Sequence, residues 1–138
     1  MQLPSSDTSA VTSVRFSPDG SQLAVGCMSD DCASEVRPVL VRGSHSLFAR
    51  QILLYDVASQ KRVQRLTGHT MRVGSLAWNG RFLSSGSRDC SILHHDPRLS
   101  VNAHRAGGLD QPSSIVATLH GHREEICGLR WSPDGQQL

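Results

Sequence analysis

No stretch of this sequence stays apolar for the roughly 20 residues that a bilayer crossing requires. The opening segment, Met1 to Ala10, lacks both the basic start and the apolar core of an export signal, so secretion is not expected. Charge of one sign is missing too: fourteen basic residues against twelve acidic ones leave a net +2, too small and too scattered to hold a polyanion. Neither a membrane nor nucleic acid is therefore expected as a partner. Cysteine is sparse, at Cys27, Cys32, Cys90 and Cys127, and one close pair without a second matched pair does not make a zinc site, so reduced thiols are the expected state. Helical periodicity is absent throughout, which leaves an all-β chain.

What the sequence does contain is repetition. Val11-x-x-Val14-x-Phe16 runs into Ser-Pro-Asp-Gly, Val73-x-x-Leu76-x-Trp78 into Asn-Gly, and Ile126-x-x-Leu129-x-Trp131 again into Ser-Pro-Asp-Gly. Each reads as a strand entering a tight turn, because proline presets φ, aspartate bonds its own backbone and glycine accepts positive φ. Leu66-Thr67-Gly68-His69 and Leu119-His120-Gly121-His122 lie 53 positions apart, as do Trp78 and Trp131, so two independent markers count the same unit. Tyr55-Asp56 and His95-Asp96 each close an apolar or alternating run. Gly-His, strand, turn, strand, turn and aromatic-Asp are the cues of a WD-repeat blade, and they predict a partial β-propeller of about two four-stranded blades plus the start of a third.

The expected layout follows. Residues 1–10 form a flexible lead. Residues 11–67 form a first blade with strands near 11–16, 22–26, 51–57 and 62–66, interrupted by an insertion over 27–50 that reads either as a true insertion or as translated intron. Residues 68–120 form a second blade with strands near 73–78, 82–86, 91–95 and 115–119 and a long loop over 99–114. Residues 121–138 begin a third blade with a strand from Ile126. An isolated run of blades leaves apolar faces and strand edges open, so marginal stability or aggregation is expected.

The recurring polar residues have a structural use first. A buried polar group is costly unless paired, so a hydrogen-bonded chain within a blade must be complete to help. Candidates are His69, Ser85, Asp89 and His95, the last standing where tryptophan is usual, together with Asp56, Asp96 and His122. A Ser/His/Asp hydrolase would also need an exposed nucleophile and an oxyanion hole, and no nucleophile-elbow glycine pattern is present, so no catalytic residue is assigned. A metal site is not expected, since His94 and His95, adjacent on a strand, point to opposite faces. No cofactor and no small-molecule substrate is implied.

A narrower resemblance rests on longer runs. Residues 72–79 (Arg-Val-Gly-Ser-Leu-Ala-Trp-Asn), residues 83–88 (Leu-Ser-Ser-Gly-Ser-Arg), His94-His95-Asp96 with Arg98, and residues 125–135 from Glu-Ile-Cys-Gly-Leu-Arg-Trp to Ser-Pro-Asp-Gly resemble the Fizzy and Fizzy-related activators of the anaphase-promoting complex. The resemblance implies a seven-bladed propeller that captures short degradation motifs on cell-cycle proteins and presents them to a ubiquitin ligase in nucleus and cytoplasm. This chain would supply the second and third blades and the opening of the fourth. The C box, the other blades and the Ile-Arg tail are missing from it, so it would not activate the complex alone. Its implied partners are anaphase-promoting complex subunits and degron-bearing cell-cycle proteins. The surviving groove between its two blades would bind a hydrophobic and acidic motif through Lys61, Arg62 and Arg88, since guanidinium groups suit bidentate carboxylate binding. A WD-repeat scaffold for a different protein complex is the alternative, and an enzyme a distant third.

Overall fold

Short strands such as Ile52-Leu53-Leu54-Tyr55, apolar at successive positions, present both faces for burial and so build sheets that stack on one another. The computed structural model of the chain describes residues 10–28, 51–99 and 114–138. One four-stranded sheet runs β1 (Ala10–Phe16), β2 (Gln22–Met28), β3 (Ile52–Asp56), β4 (Lys61–Leu66), and a second runs β5 (Val73–Asn79), β6 (Phe82–Ser87), β7 (Ser91–His95), β8 (Ile115–His120). Neighbours in each sheet are consecutive in sequence and antiparallel. Even the irregularities repeat. The first pair of each sheet shifts register at Val11/Ser13 and Val73/Ser75, and the last pair at Leu54/Tyr55 and His94/His95.

Alternation assigns the faces. Ala24, Ile52, Leu54 and Leu66 of the first sheet meet Val73, Leu76 and Leu83 of the second in one buried cluster, with Trp78 packed against it. The side chains between them in sequence, Val25, Cys27, Leu53 and Tyr55, form a second cluster on the far face of the first sheet. Glycine makes the close approach possible. A Cβ on Gly26 would collide with Ser13 Oγ, and one on Gly86 would lie 2.5 Å from Ile126 Cγ2 and 2.6 Å from Ser75 Oγ. The same position in each sheet is therefore hollowed out for the first strand residue of the unit that follows.

Backbone carbonyls of that following unit are gripped in the same way each time. Ser13 Oγ donates to Val73 O (3.1 Å), and Ser75 Oγ donates to Ile126 O (3.1 Å). The third unit is further seated by Asn79 Nδ2 on Gly135 O (2.9 Å) and by a bidentate pair, Arg72 Nε and Nη2 on Glu125 at 2.7 and 2.6 Å. That pair raises the Arg72 pKa and lowers that of Glu125.

The Ser-Pro-Asp-Gly turns are superimposable in their bonding. Ser17 N donates to Gln22 O (2.8 Å) and Gln22 N to Ser17 Oγ (2.9 Å), and Ser132 and Gln137 repeat both bonds at the same lengths. Asp19 accepts from the Ser17 hydroxyl as Asp134 does from that of Ser132, and these bonds hold both carboxyls below the usual range, Asp19 at about 2.

Several strand ends differ from expectation by one or two residues. β1 starts at Ala10, inside the expected flexible lead, and β2 continues through Cys27 and Met28 into the expected insertion, because the β1–β2 ladder still pairs Val11 with Cys27 and Ala10 with Met28. The remainder of that insertion and most of the 99–114 loop lie outside the described residues. One helical turn at 97–99 follows Asp96, whose side chain accepts from Arg98 N (3.1 Å). The expected strand from Ile126 forms no sheet ladder among the described residues. Its first residue is held by the second blade, with Ile126 N donating to Ser87 O (3.2 Å) and Ile126 O accepting from Ser75 Oγ (3.1 Å).

Candidate functional site

Ser85 lies fully buried on the face of β6 that meets the first sheet. His69, in the Gly-His link after β4, places Nε2 2.8 Å from Ser85 Oγ and Nδ1 3.0 Å from Asp89 Oδ2. His95 Nε2 is 3.3 Å from the same Ser85 oxygen, and its Nδ1 is 2.9 Å from Ser114 Oγ, at the entry to β8. The carboxylate of Asp89 is an acceptor only, so His69 Nδ1–H donates to it, and with both imidazoles neutral the order behind it follows. Ser114 donates to His95, His95 Nε2–H to Ser85, Ser85 to His69, and His69 Nδ1–H to Asp89. A one-way chain of this kind polarises itself and leaves none of its members orphaned.

The electrostatics agree with that order. Burial pushes the Asp89 carboxyl up, but the Ser91 hydroxyl, the Thr70 N–H and His69 outweigh it and hold its pKa at about 2. For His95, burial first and then the neighbouring His69 and His94 depress the pKa to about 4. His95 is therefore neutral near pH 7, as both of its bonds require. The sign for stability follows: an unfolded His95 takes up a proton near 6.5 that the folded one refuses until about 4. Its contribution is complete above pH 6.5 and is lost as pH falls toward 4, by about 3 kcal/mol. Thermal melting should therefore drop steadily across that interval, and His95→Gln, which keeps a donor and an acceptor without titrating, should flatten the dependence.

Although Asp89, His69 and Ser85 have the order of a hydrolytic triad, the serine is sealed at 0% exposure and no substrate carbonyl can reach it. The set holds β6, β7, the Gly-His link and the start of β8 together. The other residues expected in this network stand elsewhere. Asp56 accepts from Ser59 N (2.8 Å) in the β3–β4 turn. Asp96 faces Arg81 (3.5 Å) and Arg98 (3.7 Å), and His122 is exposed beyond β8. Tyr55, aligned with His95, pairs across to Leu23, and Val25 takes the place of Ser85, so the first sheet solves the same position with apolar side chains.

On the opposite face of β7, His94 Nδ1 and Trp131 Nε1 both bond Ser84 Oγ (2.8 and 3.0 Å), and the His94 and Trp131 rings are 5.7 Å apart. Burial lowers the His94 pKa. Among the described residues no group of three or more histidines, cysteines or carboxylates is placed to hold a metal.

A groove of about 640 Å³ opens between the two sheets at the end marked by the β1–β2 turn. Ser17, Asp19, Gln22, Asp56, Val63 and Gln64 form one wall, and Trp78, Arg81, Pro97 and Arg98 form the other. The three basic residues expected to share one site are not brought together. Lys61 pairs with Asp56 and Arg62 with Tyr55 at the β3–β4 turn, whereas Arg88 N bonds Arg72 O at the other end of the strands and faces Glu125 of the third unit. Strand length alone separates the two ends by roughly 17–20 Å. Arg81 and Gln64 were not expected from sequence. Their only signals there were the Gly80–Phe82 turn and the alternation of β4.

The WD domain, G-beta repeat model matches residues 2–33, 60–96 and 113–138. The anaphase-promoting complex subunit cdc20 of Dictyostelium discoideum is 41% identical over 128 residues, covering 93% of this chain and 19% of that protein. Protein FIZZY-RELATED 3 of Arabidopsis thaliana is 36% identical over 129 residues, covering 94% and 20% respectively, so the chain spans about a fifth of the relatives it matches. Among solved structures, a chain of the Mitotic Checkpoint Complex crystal structure matches with a TM-score of 0.67 and 35% identity, covering 94% of this chain and 30% of that one. The β-propeller domain of Myceliophteria thermophila Cps50 (Swd1), at 18% identity and a TM-score of 0.59, shares the fold.

Proposed function

The chain belongs to the WD domain, G-beta repeat family, and from that premise we propose that it serves in the substrate-recognition and activator subunit of the anaphase-promoting complex ubiquitin ligase, binding short degradation motifs in cell-cycle proteins in nucleus and cytoplasm. The observation that carries this reading is the 41% identity to the Dictyostelium cdc20 subunit across nearly the whole chain. The solved structure it resembles at 35% identity is itself a multiprotein assembly of mitotic control. The domain layout fits the same reading: a first blade over 11–67, a second over 68–120, and the opening of a third over 121–138.

Affinity purification of the tagged protein from dividing cells should recover anaphase-promoting complex subunits; recovery of an unrelated complex instead would favour a WD-repeat scaffold of another kind. The basic residues enter this proposal separately. Lys61 and Arg62 are exposed on the outermost strand of the first blade, and Arg88 is exposed beside Glu125. One client carboxylate cannot reach both ends of the strands, so Arg88→Glu and Lys61→Glu/Arg62→Glu should weaken different clients. Equal losses for every client tested would show instead that the substitutions act through the fold.

A further inference from the structure

Ser21, Ser59, Thr67, Thr70 and Thr118 are the exposed serines and threonines among the described residues, and their surroundings differ in charge. Ser59 stands in the turn between β3 and β4 and is followed at its second and third positions by Lys61 and Arg62, both exposed. Thr70 is followed by Arg72, but that guanidinium is already bidentate on Glu125 at 2.7 and 2.6 Å. The Ser21 hydroxyl donates to Asp19 (2.8 Å), a carboxylate rather than a cation. Thr67 and Thr118 have no lysine or arginine at either following position. Ser59 is therefore the one exposed hydroxyl in a locally basic setting among the described residues.

Its wider surroundings suit a dianion. Ser59 lines the groove between the blades, and Arg81 and Arg98 stand on the opposite wall. The two arginines share Asp96 at 3.5 and 3.7 Å, with more than half of each side chain exposed. A guanidinium has more N–H donors than part of one carboxylate can accept, so both keep donors to spare. The groove, at about 640 Å³, admits a phosphoryl group without displacing a side chain. At present Asp56 caps the turn: Ser59 N donates to its Oδ2 (2.8 Å), and the Ser59 hydroxyl and N–H hold its carboxyl below the usual range. Gln60 sits at φ 57, a left-handed conformation that non-glycine residues adopt at a cost, so the turn opens readily.

We propose that Ser59 is a phosphorylation site for a serine kinase that prefers basic substrates, and that its phosphate pairs with Arg81 and Arg98 to tie the outer turn of the first blade to the second blade. In the transfer, Ser59 Oγ attacks the γ-phosphorus of ATP. An O–P bond forms to serine as the bond to the departing ADP oxygen breaks, and the hydroxyl proton passes to the carboxylate base of the kinase. The product carries about two negative charges near pH 7 and three acceptor oxygens. Repulsion between it and Asp56 releases the turn from its cap, and the phosphate takes two guanidiniums as partners in charge-assisted bonds. This device goes beyond the recognition reading above and does not depend on it.

Incubation of the intact chain with MgATP and the catalytic domain of protein kinase C, which takes hydroxyls followed by basic residues, tests the site. Mass-spectrometric mapping should place phosphate on Ser59, and the rate of labelling should fall about tenfold or more in Lys61→Gln/Arg62→Gln. No labelling of Ser59, or labelling indifferent to Lys61 and Arg62, would overturn the site. The latch is read separately on a chain synthesised with phosphoserine at Ser59. It should melt about 4 °C or more above the unmodified chain. That gain should vanish in Arg81→Gln/Arg98→Gln, measured against the same variant without phosphate, so that any effect of the arginines on the unmodified fold cancels. Absence of a gain, or a gain that survives loss of both arginines, would overturn the latch.

Discussion

Ser85→Ala should lower the stability of the chain by about 3 kcal/mol, a loss out of proportion to one missing oxygen atom. That oxygen sits between two buried imidazoles, accepting from His95 Nε2 and donating to His69 Nε2. Alanine would leave an N–H and a lone pair facing a methyl group, each buried and each costing about 1–3 kcal/mol when unpaired. Water cannot easily repair the gap, since Ser84, Ser85, Ser87 and His95 are all fully buried. Chemical denaturation read by tryptophan fluorescence would measure the loss. Ser85→Ala combined with His69→Ala should cost less than the sum of the two single losses, and strict additivity would remove the proton chain as a source of stability.

Gly86→Ala should cost about 1–3 kcal/mol and unseat the third unit from the second blade. The new methyl would meet Ile126 Cγ2 at 2.5 Å and Ser75 Oγ at 2.6 Å, well inside contact distance. Backbone strain is not the cause, since Gly86 is not among the residues with positive φ; the obstacles are Ile126 of the neighbouring unit and Ser75 of the paired strand. Gly128→Ala is the matched control, with nothing within 4 Å of its added Cβ, and should change stability by less than about 0.5 kcal/mol. A double-mutant cycle separates this from a general helix or strand propensity effect: Ile126→Ala combined with Gly86→Ala should cost less than the sum of the two, because the smaller side chain makes room. Strict additivity would mean that Ile126 does not rest on Gly86.

The repeated turn was the most legible element. Ser-Pro-Asp-Gly carries its own geometry in its side chains, and the same bonds form at Ser17–Gln22 and at Ser132–Gln137. His69, Ser85 and Asp89 were also readable, because their spacing repeats a known blade pattern and a buried polar residue needs partners. Ser114 was not, since it reaches His95 across a register shift in the β7–β8 pair that no local pattern encodes. The separation of Lys61 and Arg62 from Arg88 illustrates the same limit. The family resemblance gathers the three into one expected site, whereas antiparallel pairing sends successive turns to alternate ends of a sheet. Arg81 and Arg98 come together for the converse reason: a turn after β5 and a helical turn after β7 both end beside Asp96. Pairing also explains Ile126 to Trp131, where a strand-like sequence docks through the Ile126 N–H and carbonyl and the Trp131 side chain without a ladder of its own among the described residues.

Exposure of Val11, Val14 and Phe16 at 48%, 50% and 59% contrasts with their second-blade counterparts Val73 and Leu76, which are buried at 0% and 2%. The difference reflects which of them has a sheet to lie against. The most direct test of successive blades stacked in one order is therefore a pair of interproton contacts in solution. Nuclear Overhauser effects should connect Gly26 Hα with the Val73 side chain and Gly86 Hα with the Ile126 methyl groups, at similar strength. Absence of the Gly86–Ile126 contact in a protein that retains its β-sheet spectrum would contradict the repeating architecture on which every proposal here depends.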